Sequence, residues 1–202
     1  MTGYRLVNLK IMVEELGEES VKGILSHFSC PLNEDVEVFL RSKAIAFAEQ
    51  GFSQTHLVFS SYKDKPALAG YFTLANKYIT VSGRKLSGTL RKRISRFSTF
   101  DNKLRSYCLS APLIAQLGKN YAVADGTLIT GDELLLLACQ KVSRIQIDLG
   151  GRFAYVECED KPKLVQFYTE NGFCEFDHRR LDRDETGLEG HYLVQLIKYI
   201  RE

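Results

Sequence analysis

The sequence predicts an α/β chain, a mixed sheet with helices on its faces, and three observations carry that reading. Runs rich in aromatic and β-branched residues recur along the chain, and segments with apolar residues at helical spacing lie between them. Their order is strand, two helices, two antiparallel strands, an insertion, strand, helix, strand, helix and a closing pair of strands. With 202 residues, 45% of them hydrophobic, the chain is long enough for one well-buried core and short for two, so residues 1–202 are expected to form a single domain.

The elements follow in order. "YRLVNLKIMV" alternates as a first strand, and "GEESVKGILSHF" reads as a short helix with acids in its first turn. Pro31 and Asn33 mark a turn, after which Val38, Phe39, Ala44, Ala46 and Phe47 keep helical spacing up to Gly51. "THLVFSSY" and "ALAGYFTLANKYITV", on either side of "KDKP", form the antiparallel pair. In "GRKLSGTLRKRISRFSTFDNKLRSY", Leu90, Ile94 and Phe97 fall at i, i+4 and i+7, which predicts a helix with one apolar stripe and a basic remainder. "APLIAQLGKNYAV" is the next strand, and "DELLLLACQKVSRI" is apolar enough to be a helix packed on a sheet. "RFAYVEC" is a strand and "KPKLVQFYTENGF" a helix ending at Gly172; "CEFDHRRL" and "GHYLVQLIKYI" close the chain around the polar loop "DRDETGLE".

Composition excludes several classes. A charged fraction of 26%, with 10 Tyr and 12 Phe, rules out a disordered chain. No stretch approaches the roughly 18 apolar residues of a membrane span, and the N-terminus carries acids where a signal peptide needs an apolar core, so a cytoplasmic protein with no membrane role is expected. Cys30, Cys108, Cys139, Cys158 and Cys174 form no C-x-x-C pair, and none has a histidine at ligand spacing. Free thiols in a reducing compartment and no metal are the expectation.

Charge is unevenly placed. From Arg84 to Arg105, eight basic residues (Arg84, Lys85, Arg91, Lys92, Arg93, Arg96, Lys103, Arg105) face Asp101 alone, a local +7 in a chain of net charge +2. Such a segment is either a solvated face or a surface for an acidic partner.

"VADGTLITGDELLLLACQ" is the candidate site. Thr130-Gly131-Asp132-Glu133 fits a capping box, so a helix starts there whatever else is true. The first turn of a helix carries unpaired N–H groups and the positive end of the peptide dipole, and can hold an anion such as a pyrophosphate. An ordinary turn before a core helix fits the same letters.

A second segment bears on the choice. "LVQFYTENGF" matches the F-Y and G-F parts of the last helix of the GNAT superfamily of N-acetyltransferases, and the element order of nearly the whole chain resembles that superfamily. The phosphate loop of the superfamily reads Q/R-x-x-G-x-G/A ahead of paired leucines, which lays Gly131 on the last glycine and Leu134 and Leu135 on the leucines. Gly126 stands in place of Gln or Arg, Ile129 replaces the middle glycine, and Asp132 and Glu133 add negative charge. The turn, helix and strand pair from Phe28 to Ala75 resemble the branch that includes the acetyltransferase toxins of toxin–antitoxin pairs.

This resemblance implies a GNAT-like mixed, mostly antiparallel sheet of about six to seven strands, flanked by helices and splayed at the cofactor site. It implies acetyl-CoA as cosubstrate, with pantetheine contacts from the backbone of Leu117, Gly118, Lys119, Asn120 and Tyr121. The pyrophosphate would lie on Gly126, Thr127, Leu128, Ile129, Thr130, Gly131 and Asp132. An acceptor amine would attack the thioester, a backbone N–H near Lys119 would stabilise the oxyanion, and Tyr168 would be the general acid. Glu157 and Glu159 are the carboxylates nearest the role of base. The acceptor is left open among a small molecule, a peptide and aminoacyl-tRNA; the Arg84–Arg105 segment is a contact for RNA, a contact for the CoA 3′-phosphate or a solvated amphipathic helix, with a homodimer or an antitoxin as further partners. The competing reading is a GNAT-like binding or regulatory module without turnover.

Overall fold

Asn8 ends the first strand and starts the first helix. In the computed structural model, which describes residues 3–84, 86–182 and 190–200, β1 is Arg5–Asn8 and α1 is Leu9–Leu16. The Asn8 side chain accepts from the Ile11 amide at 3.2 Å, the N-cap bond that turns the chain. The expected ten-residue strand is therefore four residues long. Leu9, Met12, Val13 and Leu16 share a helical period, which the alternating reading overlooked. Gly17, at φ +81°, breaks α1 from α2 (Glu18–Leu25).

The next helical stretch is one run with a widened turn: α3 (Glu34–Val38), a π-helical turn (Phe39–Lys43) and α4 (Ala44–Glu49), ending before Gly51 at φ +77°. Asn33 caps its start by accepting from the Val36 amide. The antiparallel pair is β2 (Gln54–Tyr62) and β3 (Lys65–Ser82), with Thr55 opposite Thr73 and their hydroxyls 2.9 Å apart. The basic stretch holds α5 (Gly88–Ile94) and a short strand β4 (Thr99–Asp101). Then come β5 (Ser106–Lys119), a 3-10 turn (Ala124–Gly126), α6 (Gly131–Leu149), β6 (Phe153–Glu159), α7 (Pro162–Glu170), β7 (Cys174–Arg180) and β8 (Tyr192–Tyr199). Lys85 and most of the polar loop, 183–189, lie outside the described residues.

Eight strands stand among the described residues where six to seven were expected. The addition is β4, hidden in the basic stretch because Asp101 folds the chain back: its carboxylate accepts from the Lys103 and Leu104 amides at 2.7 and 2.9 Å. Five pairings, β1–β2, β2–β3, β4–β5, β6–β8 and β7–β8, are antiparallel and β5–β6 is parallel, so the sheet is mixed and mostly antiparallel as expected.

The chain gathers into two compact units, Met1–Ala75 with Ile114–Ala138, and Asn76–Leu113 with Cys139–Glu202. In the first, β1, β2 and the start of β3 carry a core of Leu9, Leu25, Phe28, Val36, Leu40, Leu57 and Tyr71. The Tyr71 hydroxyl is buried but donates to the Val36 carbonyl at 2.6 Å, so the ring fills the core without an orphaned polar atom. In the second, β6 pairs with β8 and β8 with β7, while β5 touches β6 at one parallel bridge, Leu113 to Tyr155. Its core joins Val81, Leu90 and Ile94 to Phe153, Tyr155 and Ile197, so Leu90 and Ile94 of the expected stripe pack inward, whereas α5 ends at Ile94 and Phe97 lies beyond it, 44% exposed.

Candidate functional site

The end of β5 is built by close backbone contact. A Cβ on Gly118 would lie 2.3 Å from Val36 Cγ1 and 3.3 Å from the rings of Phe28 and Tyr71; one on Gly70 would lie 2.7 Å from the Gly118 carbonyl. Only glycine lets β3 and β5 approach this way. Asn120 follows, 2% exposed, and its amide group is a bracket. Its Nδ2 donates to the Leu68 carbonyl at 2.9 Å, and its Oδ1 accepts from the amides of Ser29 and Ala122 at 3.0 and 3.1 Å. The backbone N–H groups of Asn120 and Tyr121 donate to Ala69 and Ser29 carbonyls at 2.8 and 2.7 Å. Two of the five amides assigned to pantetheine are thus already committed to the fold.

Tyr121 links this strand to the loop. Its ring lies on Gly126, where a Cβ would meet it at 2.8 Å, and Lys119 Nζ sits 5.3 Å from the ring centroid. Three successive residues, Ala124, Asp125 and Gly126, have φ of +50°, +49° and +72°. Two of them are not glycine, so the turn holds its shape against an intrinsic backbone preference. The Ala124 carbonyl compensates by accepting from both the amide and the hydroxyl of Thr127, at 2.9 and 2.7 Å.

The capping box is present as read. Glu133 N donates to Thr130 Oγ1 at 3.1 Å, and Thr130 N donates to Glu133 Oε2 at 2.9 Å. The Thr130 amide holds the Glu133 carboxyl below the usual range, with the Thr130 hydroxyl adding to it. Between turn and box lies Ile129, 1% exposed, whose backbone N–H donates to no described residue. A buried amide without an acceptor costs about 1–3 kcal/mol.

Tyr4 is the residue that sequence reasoning missed here. Its hydroxyl donates to the Leu128 carbonyl at 3.2 Å, across 124 residues of chain. Nothing local in "TGYRLV" signals that contact.

In the second unit, the F-Y…N-G-F segment has a physical explanation. Gly172, at φ +81°, ends α7, and the Phe173 amide donates back to the Tyr168 carbonyl at 3.0 Å. That reversal lays the Phe173 ring against Tyr168, with centroids 5.7 Å apart at 73°. Tyr168 is 7% exposed; burial, and the Cys158 and Cys139 thiols beside it, push its hydroxyl well above the ordinary phenol value. Burial also pushes the Cys158 thiol up to about 12, with Asp160, Glu159 and Glu175 adding to it.

The carboxylates considered as bases are engaged. Glu157 accepts from Tyr155, from Arg179 at 2.7 Å and from Gln195 at 3.3 Å, and Gln195 also donates to the Tyr155 hydroxyl at 2.6 Å. Burial alone would raise the Glu157 carboxyl, yet the Arg179 and Tyr155 hydrogen bonds outweigh it and hold it below the usual range. A carboxylate so stabilised is a poor proton acceptor, and Glu157 serves as the anionic centre of a polar cluster on β6, β7 and β8. Glu159 pairs with Lys161 at 3.1 Å.

The basic segment lies in the same unit. Arg91, Lys92, Arg96, Lys103 and Arg105 are exposed, whereas Arg93 stacks 5.5 Å over the Tyr199 ring. Phe100 and Leu104 are exposed among them, Leu104 at 61%. Among the described residues no group of three or more His, Cys, Asp or Glu is placed to hold a metal, and no helix is long and apolar enough to cross a membrane. All five cysteines are free thiols.

No protein-family model matches the chain, and no curated protein matches its sequence. Solved structures do match. A tyrosine-to-phenylalanine variant of KacT superposes with a TM-score of 0.61 at 16% identity, covering 96% of this chain and 94% of the other. AtaT complexed with acetyl-methionyl-tRNAfMet gives 0.59 at 16%, covering 95% and 93%. The fold is GNAT-like. A third GNAT-like match, a tyrosine-to-phenylalanine variant of the AtaT toxin bound to the C-terminus of the antitoxin AtaR and acetyl-CoA, gives 0.57 at 13%, covering 98% and 93%. The GNAT-like fold thus spans nearly the full length of this chain, at identities where the likeness is one of backbone alone.

Proposed function

We propose that the protein is an acetyl-CoA-dependent N-acetyltransferase, and the single observation that carries this is the amide of buried Ile129, which has no acceptor among the described residues, at the capped start of α6. In a GNAT-like fold that amide is offered to a diphosphate oxygen, with the N-terminal end of α6 adding its dipole. Gly126, Thr127, Leu128, Thr130, Gly131 and Asp132 shape the loop around it. Leu117, Gly118 and Lys119 supply the strand end that receives a pantetheine arm, and Asn120 and Tyr121 hold that end in place instead of contacting the ligand. The neighbour AtaT bound to acetyl-CoA supports the same cosubstrate.

The bound acetyl-CoA supplies an activated acyl carbonyl and a thiolate leaving group. The acceptor amine forms the new C–N bond as the C–S bond breaks; the proton lost by the amine equals the proton gained by the thiolate. Tyr168 is proposed as the donor to that sulfur. Its hydroxyl stays protonated at every physiological pH, and because it is a weaker acid than a thiol of pKa ~8.5, it works by hydrogen bonding or relay and not by net proton loss.

The acceptor we propose is an amine carried on RNA. Arg91, Lys92, Arg96, Lys103 and Arg105 form an exposed cationic surface with Phe100 and Leu104 between them, suited to phosphates and bases. The complex of AtaT with acetyl-methionyl-tRNAfMet supports that choice. An antitoxin partner is proposed on the same footing from the AtaR-bound neighbour, and a homodimer remains part of the proposal.

One observation favours a binding or regulatory module without turnover: the Glu133 carboxylate, ionised, already occupies the Thr130 amide and hydroxyl at the helix start. Titration with coenzyme A and an assay for thiol release with aminoacyl-tRNA separate the two. Binding with release is expected; no binding at millimolar ligand removes the enzyme reading, and binding without release across amine and aminoacyl-tRNA acceptors selects the module. Reversing charge at Arg91, Lys92 and Arg96 should spare coenzyme A binding and abolish use of the RNA-linked acceptor.

A further inference from the structure

The loop before α6 is tied down from the opposite end of the chain. Tyr4 stands one residue ahead of β1, and its hydroxyl donates to the Leu128 carbonyl at 3.2 Å. Burial raises the phenol above its ordinary value, and a hydrogen bond to the Glu133 carboxylate and its charge add to this, so the Tyr4 hydroxyl stays protonated throughout the physiological range and lies within reach of two acceptors, the Leu128 carbonyl and the Glu133 carboxylate. A peptide unit is planar and trans, and its C=O and N–H point in opposite directions. Holding the Leu128 carbonyl toward Tyr4 therefore turns the Ile129 N–H away from it. That N–H has no acceptor among the described residues, in a residue 1% exposed.

We infer that Tyr4 is a positioning residue for the cosubstrate loop: it fixes the Leu128–Ile129 peptide plane so that the Ile129 amide faces a diphosphate oxygen. The inference rests on the acetyl-CoA reading above. It explains how the loop works without a glycine at Ile129. A glycine would reach the required peptide orientation through its own freedom, whereas a β-branched residue needs the plane held from outside.

The test uses the full chain, coenzyme A as probe, and the Tyr4→Phe variant, which keeps the ring and removes one hydroxyl. Calorimetry gives the affinity, and a ¹⁵N-resolved NMR titration reads the Ile129 amide directly. In the unsubstituted protein the Ile129 amide proton is expected to move downfield as coenzyme A is added. In Tyr4→Phe the affinity should fall by about tenfold, the loss of one well-placed hydrogen bond, and the Ile129 displacement should shrink while other loop amides still respond. Affinity within about twofold of the parent and an unchanged Ile129 displacement overturn the role of Tyr4 and leave the acetyl-CoA reading standing. Coenzyme A binding that leaves Ile129 unmoved in the unsubstituted protein also overturns it, without need of a variant. No binding at all by the unsubstituted protein overturns both.

Discussion

The Tyr121 ring lies flat enough on Gly126 that a single added methyl would sit 2.8 Å from its Cδ1. Gly126 is also at φ +72°, so two separate penalties meet in Gly126→Ala: left-handed strain and a clash. We expect a loss of about 1–3 kcal/mol in a denaturant melt, together with weaker coenzyme A binding. Adding Tyr121→Leu should recover the clash component and leave the backbone component, so a double variant as stable as the parent would contradict the strain argument.

Gly118→Ala tests the packing of β5 in isolation from the loop. The new Cβ would stand 2.3 Å from Val36 Cγ1, in a core that cannot yield on the side of Phe28 and Tyr71. Stability should fall by about 1–3 kcal/mol or more. Val36→Ala in the same chain removes the obstructing methyl, and the pair should cost less than the two changes summed.

Asn120→Ala removes one donor and one acceptor from a buried bracket and orphans the Leu68 carbonyl and the Ser29 and Ala122 amides. Each orphan costs about 1–3 kcal/mol unless water reaches it, so this substitution should be among the most damaging in the first unit. Thermal melting reads it. A melting point within a degree or two of the parent would show that the three groups find solvent.

Tyr168→Phe should lower turnover by about 10²-fold or more with coenzyme A affinity unchanged. Because burial and two thiols raise its hydroxyl, Tyr168 puts no alkaline limb in the rate profile below about pH 10. A full rate in the phenylalanine variant would remove Tyr168 as the donor to sulfur.

Acid should unfold the protein through identifiable carboxylates. Glu37 is held below its ordinary value first by the Cys30 amide, at 2.7 Å, and by Ser29 and Arg41; Glu133 is held there by Thr130. A depressed folded-state value means that the stabilisation is complete above the unfolded value of about 4.3 and disappears as pH falls through the lower folded one. Glu37→Gln should therefore melt lower than the parent at neutral pH and lose less on going to about pH 3.

Much of this was legible because it is local. The helix start at Thr130, the apolar run of β6, the turn at Gly172 and the pair Leu90 and Ile94 all follow from short-range spacing and capping chemistry, and each is in the structure. The strand read through Val13 failed where two local patterns compete: "LVNLKIMV" satisfies a period of two as easily as one of 3.6, and the Asn8 cap decides. β4 was invisible because a three-residue strand carries too few positions to show any period.

Taken alone, the amino-acid order determined the class of fold, the place of the capped helix, the basic segment and the tyrosine ahead of Gly172, since these depend on residues within a turn or two of one another. Tertiary structure decided the rest: that Asn120 and Tyr121 spend their amides on the fold, that Glu157 is neutralised by Arg179, and that Tyr4 reaches Leu128. Those outcomes turn on which donor meets which acceptor across the chain. The free energy of such a meeting depends on burial and orientation, and neither is set by neighbours in sequence.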